Sequence, residues 1–237
     1  MPSGKRVYAV GDVHGRHDLL VQLADLIQAD LQRSNGSDLE PETIFLGDYI
    51  DRGIESRLVV ERLAGAHFPT PVRCLLGNHE MMMLSFLDSA DAGHLWLSNG
   101  GLETLFSYGI DAQRMPSNIR LETARAALIA VLPAHHQRFL QTLQVSIDLG
   151  DYFFCHAGVR PGVPLAKQRL DDLIWIREPF LSGEATFGKR IVHGHTPVME
   201  PEVRANRINI DTGAYLTNRL TCAVLEEDTV RILQARA

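Results

Sequence analysis

Residues that could bind a metal ion follow five short apolar segments of this 237-residue chain. These residues are Asp12 and His14, Asp48, Asn78 and His79, His156, and His195. Taken singly, each has a plain structural explanation, because Asp48 or Asn78 could cap a helix and His156 could be a core histidine. Their joint occurrence, each time where an apolar segment stops, favours one polynuclear metal site.

The spacing within this set predicts which side chains share a face. Asp12 and His14 lie two residues apart, so both side chains face the same side of an extended segment. His193 and His195 have the same spacing, and both could point at the metals. In α/β sheets, ligands bind outside the carboxyl ends of the strands, where loops converge. We therefore expect these loops to meet at one place.

Three strand–loop–helix units are predicted in the first part of the chain. Apolar runs predict strands at 7–10, 43–46 and 72–76, and helical spacing predicts helices at 19–31, 56–66 and 81–87. The tract at 34–41 (SNGSDLEP) interrupts the first unit after its helix. This order predicts parallel strands with crossover helices, which is an α/β fold.

The middle and the last third of the chain differ from this pattern. The stretch from Asp88 to Arg120 is predicted to be irregular, with helices at 121–131 and 135–143. Strands are predicted at 145–149, 152–155, 190–192, 207–210, 220–225 and 229–233, with hairpins at 150–151 and 226–228. We expect one domain over residues 1–237, with a partly irregular and helical insertion at about 88–143 that could cap the site.

Composition narrows the class of protein and its surroundings. The net charge of −6 argues against a nucleic-acid-binding surface, which is normally basic. No stretch approaches the roughly 20 apolar residues of a membrane span, and no signal-peptide core is visible, so we expect a cytoplasmic protein without membrane contact. The three cysteines, Cys74, Cys155 and Cys222, lack metal-binding or disulfide spacing and are expected to be buried thiols.

Several motifs resemble those of a known family. The segments GDVHG, GDYIDRG, GNHE, CHAG and VHGHT are similar to the phosphoprotein phosphatase branch of the metallophosphoesterases. The segments WLSNGG, HAGVRPG and LIWIREPF resemble the bacterial and phage serine/threonine protein phosphatases. Together the likeness runs roughly from Arg6 to Leu225. It implies a four-layer α/β/β/α sandwich of two mixed β-sheets flanked by helices.

The resemblance also implies a set of metal ligands. Asp12 and His14 would bind one metal, Asp48 would bridge, and Asn78, His156 and His195 would hold the second. Oxygen and imidazole ligands suit two divalent ions, of which Mn²⁺ is our first expectation and Fe or Zn the alternatives. The order HGHT fits the family pattern with His195 as the ligand, so His193 is expected to pack behind the site.

Catalytic roles follow from the same resemblance. A metal-bridging hydroxide would attack phosphorus in line, without a phosphoenzyme intermediate. His79 resembles the family's general acid, and Asp51 would orient its imidazole. Arg52 and Arg177 resemble the residues that bind the substrate phosphate, since a guanidinium can grip two phosphate oxygens.

For residues outside these motifs, the sequence predicts only whether they lie at the surface or in the core. The histidines His17, His67, His94, His135 and His136 are expected at the solvated surface. Met81 to Met83 follow GNHE on a predicted helix and are expected in the core. Trp96, Asn99 and Gly100 resemble a bacterial family segment near the active site, but their spacing assigns them no chemical role.

Two substrate classes stay open. The segments NGG, SYG and IREPF favour a serine/threonine protein phosphatase, with dual specificity as an extension, whose partner is a phosphorylated protein or peptide. The alternative is a nucleotide hydrolase that resembles the symmetrical diadenosine tetraphosphatases, which share GDxHG, GDxxDRG and GNHE. An inactive binding module is disfavoured, because every metal and acid position of the family pattern is present.

Overall fold

Two mixed five-stranded sheets form the centre of the computed structural model, which describes residues 1–33 and 39–237. Most of the interruption predicted at 34–41 therefore lies outside the described residues. The strands are β1 (Lys5–Val10), β2 (Glu40–Phe45), β3 (Val72–Cys74), β4 (Ser146–Leu149), β5 (Tyr152–Cys155), β6 (Arg190–His193), β7 (Glu202–Val203), β8 (Arg207–Asn209), β9 (Arg219–Glu226) and β10 (Thr229–Arg236).

Both sheets combine parallel and antiparallel strands, in different arrangements. The first has the order β10-β9-β1-β2-β3, and the second has the order β4-β5-β6-β8-β7. The pairs β1–β2 and β2–β3 are parallel, as the strand–loop–helix order predicted. In the second sheet β5, β6 and β8 are parallel, with antiparallel β4 and β7 at the edges. The predicted hairpins are confirmed as β4–β5 and β9–β10.

Alternating side chains explain how the sheets stack. In β1, Val7 and Ala9 face the second sheet, while Tyr8 and Val10 face the helices on the other side. In β5, Phe154 lies between the sheets, whereas Phe153 packs under the outer layer of the second sheet. Because both sheets are covered on both faces, the predicted four-layer α/β/β/α sandwich is confirmed.

Helices cover the outer faces. They are α1 (His17–Arg33), α2 (Ser56–Ala64), α3 (Asn78–Asp88), α4 (Gly93–Trp96), α5 (Leu102–Ser107), α6 (Arg120–Val131), α7 (Ala134–Gln141), α8 (Leu170–Trp175) and α9 (Ala214–Thr217). Leu19, Leu23 and Ile27 bury one face of α1, as their helical spacing predicted. Met82 and Met83 on α3 are also buried, as predicted.

The prediction of irregular chain from Asp88 to Arg120 was wrong for most of its length. Short helical segments follow one another from Ala90 to Ser107, with a kink at Gly100, whose φ of 104° is not helical. The glycines that suggested irregularity serve packing. A side chain at Gly101 would lie 2.7 Å from the Trp96 ring, so only glycine lets this ring pack there. Strand β7 and helices α8 and α9 were also missed, since each is six residues or shorter.

No helix in the described parts of the chain combines the length and the apolar character that crossing a bilayer requires.

A buried carboxylate fastens α1 to the first sheet. Asp30 accepts a hydrogen bond from the Tyr8 hydroxyl at 2.8 Å and two from the Arg231 guanidinium, each at 3.0 Å. Arg6 lies 3.6 Å from the same carboxylate. Burial by itself would raise the pKa of Asp30, but the hydrogen bonds from Arg231 and Tyr8 outweigh it and lower the pKa.

We expect Asp30→Asn to lower the free energy of unfolding by about 2–3 kcal/mol, because it leaves buried donors facing an uncharged partner. The Asp30 pKa is lowered in the folded state, so its stabilisation is present above the ordinary aspartate pKa of about 3.9. It is lost as the pH falls through the folded value. Urea unfolding at pH 7 and pH 3 measures both effects, and the difference in stability between the two proteins should be smaller at the lower pH.

The control is Asp25→Asn on the exposed face of the same helix, which should change stability by less than about 0.5 kcal/mol. Equal effects of the two substitutions at pH 7 would contradict the anchoring role of Asp30.

Candidate active site

The carboxylate of Asp48 lies at the centre of two groups of possible metal ligands. The first group is His14, Asp48 and His79, and the second is Asp48, His156 and His195. In each group one ligand atom per residue lies within 4.8 Å of the others. Asp48 Oδ2 is 3.5 Å from His14 Nε2, and Oδ1 is 3.4 Å from His156 Nε2. One carboxylate therefore faces both groups, which is the geometry of a bridging ligand.

Asn78 completes the second group. Its Oδ1 lies 2.9 Å from His156 Nε2 and 2.9 Å from His195 Nδ1. Asn78 is the first residue of α3, immediately after the strand-end glycine Gly77. A side chain at Gly77 would lie 2.1 Å from Asp48 Oδ1, so glycine is needed for the two loops to approach.

Backbone carbonyls orient two of the imidazoles. His14 Nδ1 lies 2.9 Å from the carbonyl oxygen of Ile50, and His156 Nδ1 lies 2.9 Å from that of Leu46. Each Nδ1–H donates to its carbonyl, which turns the lone pair of Nε2 toward Asp48. Burial lowers the pKa of both histidines, so they are neutral, as metal ligands must be.

Asp12 and His195 are connected through the backbone. The N–H of His195 donates to both Asp12 carboxylate oxygens, at 3.3 and 3.1 Å. A side chain at Gly194 would lie 2.1 Å from Asp12 Oδ1, so this approach also needs glycine. The Nε2 atom of His195 is buried and has no hydrogen-bond partner among the described residues. Mainly through burial, the pKa of His195 falls to about 3.

The buried negative charge fits a cationic occupant. Asp12, Asp48 and Asp211 are each at most 2 % exposed. Burial and the charges of Asp211 and Asp48 raise the pKa of Asp12 well above its ordinary value, and burial raises that of Asp211 to about 6. Clustered, desolvated carboxylates repel one another unless a cation lies between them. Oxygen and imidazole donors around such a charge suit divalent ions.

His79 and Asp51 form a buried pair beside this centre. His79 Nδ1 lies 2.6 Å from Asp51 Oδ2, and His79 Nε2 lies 3.8 Å from Asp48. Burial opposes protonation of His79, but the charges of Asp48 and Asp51 and the bond to Asp51 prevail, so its pKa is raised. The Trp96 indole and the Thr104 hydroxyl both donate to the Asp51 carboxylate.

The role of Trp96 was therefore missed from sequence. Its indole N–H lies 2.9 Å from Asp51 Oδ2, while its ring is fully buried against Phe86. A buried indole needs an acceptor for its N–H group, but nothing in the sequence says which acceptor it finds.

The two predicted phosphate-binding arginines lie in different surroundings. Arg52 donates to His14 Nε2 at 2.9 Å and to His79 Nε2 at 3.1 Å, and its guanidinium lies 4.7 Å from the ring centre of Tyr215. Arg177 is exposed, and its positive charge helps to lower the pKa of His195. Arg52 thus lies inside the site, and Arg177 approaches it from the solvent side near His195.

Glu80 is a second residue that sequence reasoning missed. Its carboxylate accepts four backbone N–H groups, those of Asp48 (2.9 Å), Tyr49 (2.7 Å), Ile50 (3.3 Å) and Gly77 (3.1 Å). Glutamate at the third position of a helix commonly reaches back to its N-terminus, so GNHE carried this signal. The bonds to Asp48, Tyr49 and Ile50 come from a different loop and are a matter of tertiary structure.

His193 lies outside both ligand groups. Its Nε2 faces Arg207 at 3.4 Å, and its ring packs edge-on against Phe180 with the ring centres 5.0 Å apart. Burial lowers its pKa to about 3. His193 therefore packs behind the loop that presents His195.

Backbone strain is concentrated here. Within residues 1–33 and 39–237, eight residues other than glycine have positive φ angles, and five of them belong to this site: His14 (44°), Asp48 (52°), Asp51 (73°), Arg52 (68°) and His195 (66°). Such conformations cost of order 1–3 kcal/mol each and persist where the surrounding structure imposes them. The strained backbone is a further indication that these positions serve a function.

The sandwich and its histidine–aspartate groups at the strand ends define a metal-dependent phosphoesterase. The chain belongs to the calcineurin-like phosphoesterase family, whose sequence profile matches residues 5–227.

Proteins similar to this chain have names that denote different phosphate-containing substrates. Serine/threonine-protein phosphatase 1 of Salmonella typhimurium is 30% identical over 226 residues, which cover 94% of this chain and 93% of the relative. The asymmetrical bis(5'-nucleosyl)-tetraphosphatase PrpE of Bacillus subtilis is 26% identical, with 90% of this chain and 87% of the relative covered. A cold-active protein-tyrosine phosphatase of a psychrophilic Shewanella shares the fold, with a TM-score of 0.57 and 16% identity over 100% of this chain and 83% of that one.

We expect His195→Ala to lose bound metal and His193→Ala to retain it, because only His195 faces Asn78 and Asp48. Metal content per chain after loading with Mn²⁺ and gel filtration measures the difference. Equal depletion in both variants would overturn this distinction between the two histidines.

Proposed function

We propose that this protein is a metal-dependent serine/threonine protein phosphatase, with activity toward phosphotyrosine as an extension. The observation that carries the proposal is the joint position of Asp48, His79 and Arg52. An imidazole with a raised pKa and a guanidinium both lie beside the carboxylate that the two ligand groups share. The 30% identity to a serine/threonine-protein phosphatase over nearly the whole chain supports this substrate class.

The residues of the site divide into two metal-binding sets. Asp12 and His14 would hold one ion, Asp48 would hold both, and Asn78, His156 and His195 would hold the second; Mn²⁺ is our choice for both positions. When bound, two divalent ions polarise the phosphoryl oxygens and activate a water for in-line attack.

The arginines would bind and orient the phosphate. Arg52 contacts the Nε2 atoms of His14 and His79 in the structure, and it would exchange these contacts for phosphate oxygens when substrate binds. Arg177 would approach from the exposed side, where it can close on a substrate without disturbing the core. Two guanidinium groups then hold the oxygens that carry the growing charge of the transition state.

His79 would protonate the departing alkoxide. Asp51 accepts a hydrogen bond from its Nδ1, which fixes the ring and leaves Nε2 directed at the centre. Asp51 is itself held by Trp96 and Thr104, so it cannot turn away from His79. The acid is therefore oriented before substrate binds.

We expect His79→Asn to lower kcat by about 10²–10⁴-fold on a phosphoserine peptide, which is the usual loss on removing a general acid. Its metal content should stay at the wild-type value, because His79 lies close to Asp48 but is not one of the proposed metal ligands. Steady-state kinetics and metal analysis on the same preparation check both points. A variant that retained wild-type kcat would exclude His79 as the acid.

A nucleotide hydrolase is the alternative, and two aromatic side chains favour it. The Trp175 indole is 37% exposed and packs edge-on against His195, and Tyr215 packs edge-on against His14. These rings flank the centre and could stack on a nucleobase. The PrpE relatives, named as bis(5'-nucleosyl)-tetraphosphatases, also match about 90% of this chain.

The decisive assay compares a phosphoserine peptide with diadenosine tetraphosphate, each with Mn²⁺ and after chelation. We expect phosphate release from the peptide that depends on Mn²⁺, with little cleavage of the dinucleotide. Cleavage of the dinucleotide alone would assign the site to the nucleotide hydrolases. A Trp175→Ala variant sharpens the comparison, because loss of a stacking ring should raise KM for the dinucleotide far more than for the peptide.

A further inference from the structure

A third group of possible metal ligands lies outside the active site. It consists of Glu61 on α2 with His135 and His136 on α7, and it shares no residue with the groups around Asp48. Both histidines were expected at the solvated surface from the sequence. That expectation was wrong for His136, which is fully buried. Its ring fits between Glu61 and the Tyr108 hydroxyl, which helical spacing along α7 could not reveal.

The three side chains converge on one point. Nε2 of His136 lies 2.8 Å from Glu61 Oε2, and Nε2 of His135 lies 3.1 Å from the same oxygen. The two imidazole centres are 4.4 Å apart. Adjacent residues on a helix normally point about 100° apart. The convergence of His135 and His136 on one carboxylate is thus a specific arrangement of this helix terminus.

These separations are close to those that a tetrahedral metal requires. Zinc binds imidazole nitrogen and carboxylate oxygen at about 2.1 Å, which places neighbouring ligand atoms about 3.4 Å apart. The observed nitrogen–oxygen distances of 2.8 to 3.3 Å need to open by only a few tenths of an ångström. The side chains of Glu61 and His135 are 51% and 44% exposed, so an ion can enter and water can take the fourth position.

A hydrogen bond to Tyr108 holds the imidazole of His136 in an orientation suited to metal binding. Nδ1 of His136 lies 2.9 Å from the Tyr108 hydroxyl. When Nδ1–H donates to that oxygen, the Nε2 lone pair is free for an ion, as is usual for histidines that bind metal.

We propose that Glu61, His135 and His136 form a separate binding site for a divalent transition-metal ion of the zinc type. The ion would join α2, which begins four residues after Arg52, to α7 at the end of the helical segment 88–143. Tyr108, next to the end of α5, would be drawn into the same assembly. This would be a structural metal site that links these helices and takes no part in hydrolysis.

The test is zinc stoichiometry by equilibrium dialysis, with wild type, His135→Gln, Glu61→Gln and the control His94→Gln. His94 is an exposed histidine of the same segment. We expect wild type and the control to bind one more zinc ion per chain than either Glu61→Gln or His135→Gln. The difference isolates this site, since the ions bound at the active centre are common to all four proteins.

A second readout is the melting temperature with and without zinc. Zinc should raise the melting temperature of wild type and the control more than that of the two site variants, because an ion bound only to the folded state stabilises it. Equal stoichiometry and equal shifts in all four proteins would overturn the proposal and leave the cluster as a hydrogen-bonded contact between helices. Phosphatase activity with Mn²⁺ should be unchanged in His135→Gln, so the result is independent of the active site.

Discussion

The carboxylate of Glu80 accepts backbone N–H groups from two loops that lie about thirty residues apart in sequence. It joins the turn at Asp48–Ile50 to the start of α3, which carries Asn78 and His79. An uncharged or shorter side chain could not satisfy four buried donors at once. Burial and the charge of Asp48 raise the pKa of Glu80, while the charge of His79 and the hydrogen bond from the Tyr49 N–H oppose that shift. Because this contact holds the Asp48 turn against the start of α3, the positions of Asn78 and His79 relative to Asp48 depend on it.

Around this contact the site contains energetically unfavourable buried groups, whose cost a bound cation would reduce. Asp12 and Asp211 are desolvated carboxylates with raised pKa values, and His195 has a buried nitrogen without a partner among the described residues. The loops also hold residues at positive φ. Structures usually tolerate such costs where function requires them, and the sandwich provides the rigid support. A bound cation would reduce the repulsion between these carboxylates.

The helical segment 88–143 contributes to the site from a distance. Trp96 and Thr104 donate to Asp51, so this segment fixes the partner of His79 without approaching Asp48 itself. Its far end, at α7, rests on α2 through His136 and Glu61. This segment, which was expected to be mostly irregular up to Arg120, therefore contacts the loop of Asp51 and Arg52 near its beginning and helix α2 near its end.

Sequence alone determined the parallel strand–loop–helix units of the first half, the two hairpins and the family, because apolar periodicity and motifs such as GDYIDRG with GNHE are local signals. It also brought the candidate ligands to strand ends, where the fold makes loops converge. Tertiary structure alone decided the short helices at 90–107, the burial of His136, and the partners of Trp96 and Glu80. The burial of His136 and the partners of Trp96 and Glu80 depend on contacts between residues 28 to 75 positions apart. Local propensity carries no information about such contacts, so only packing could settle them.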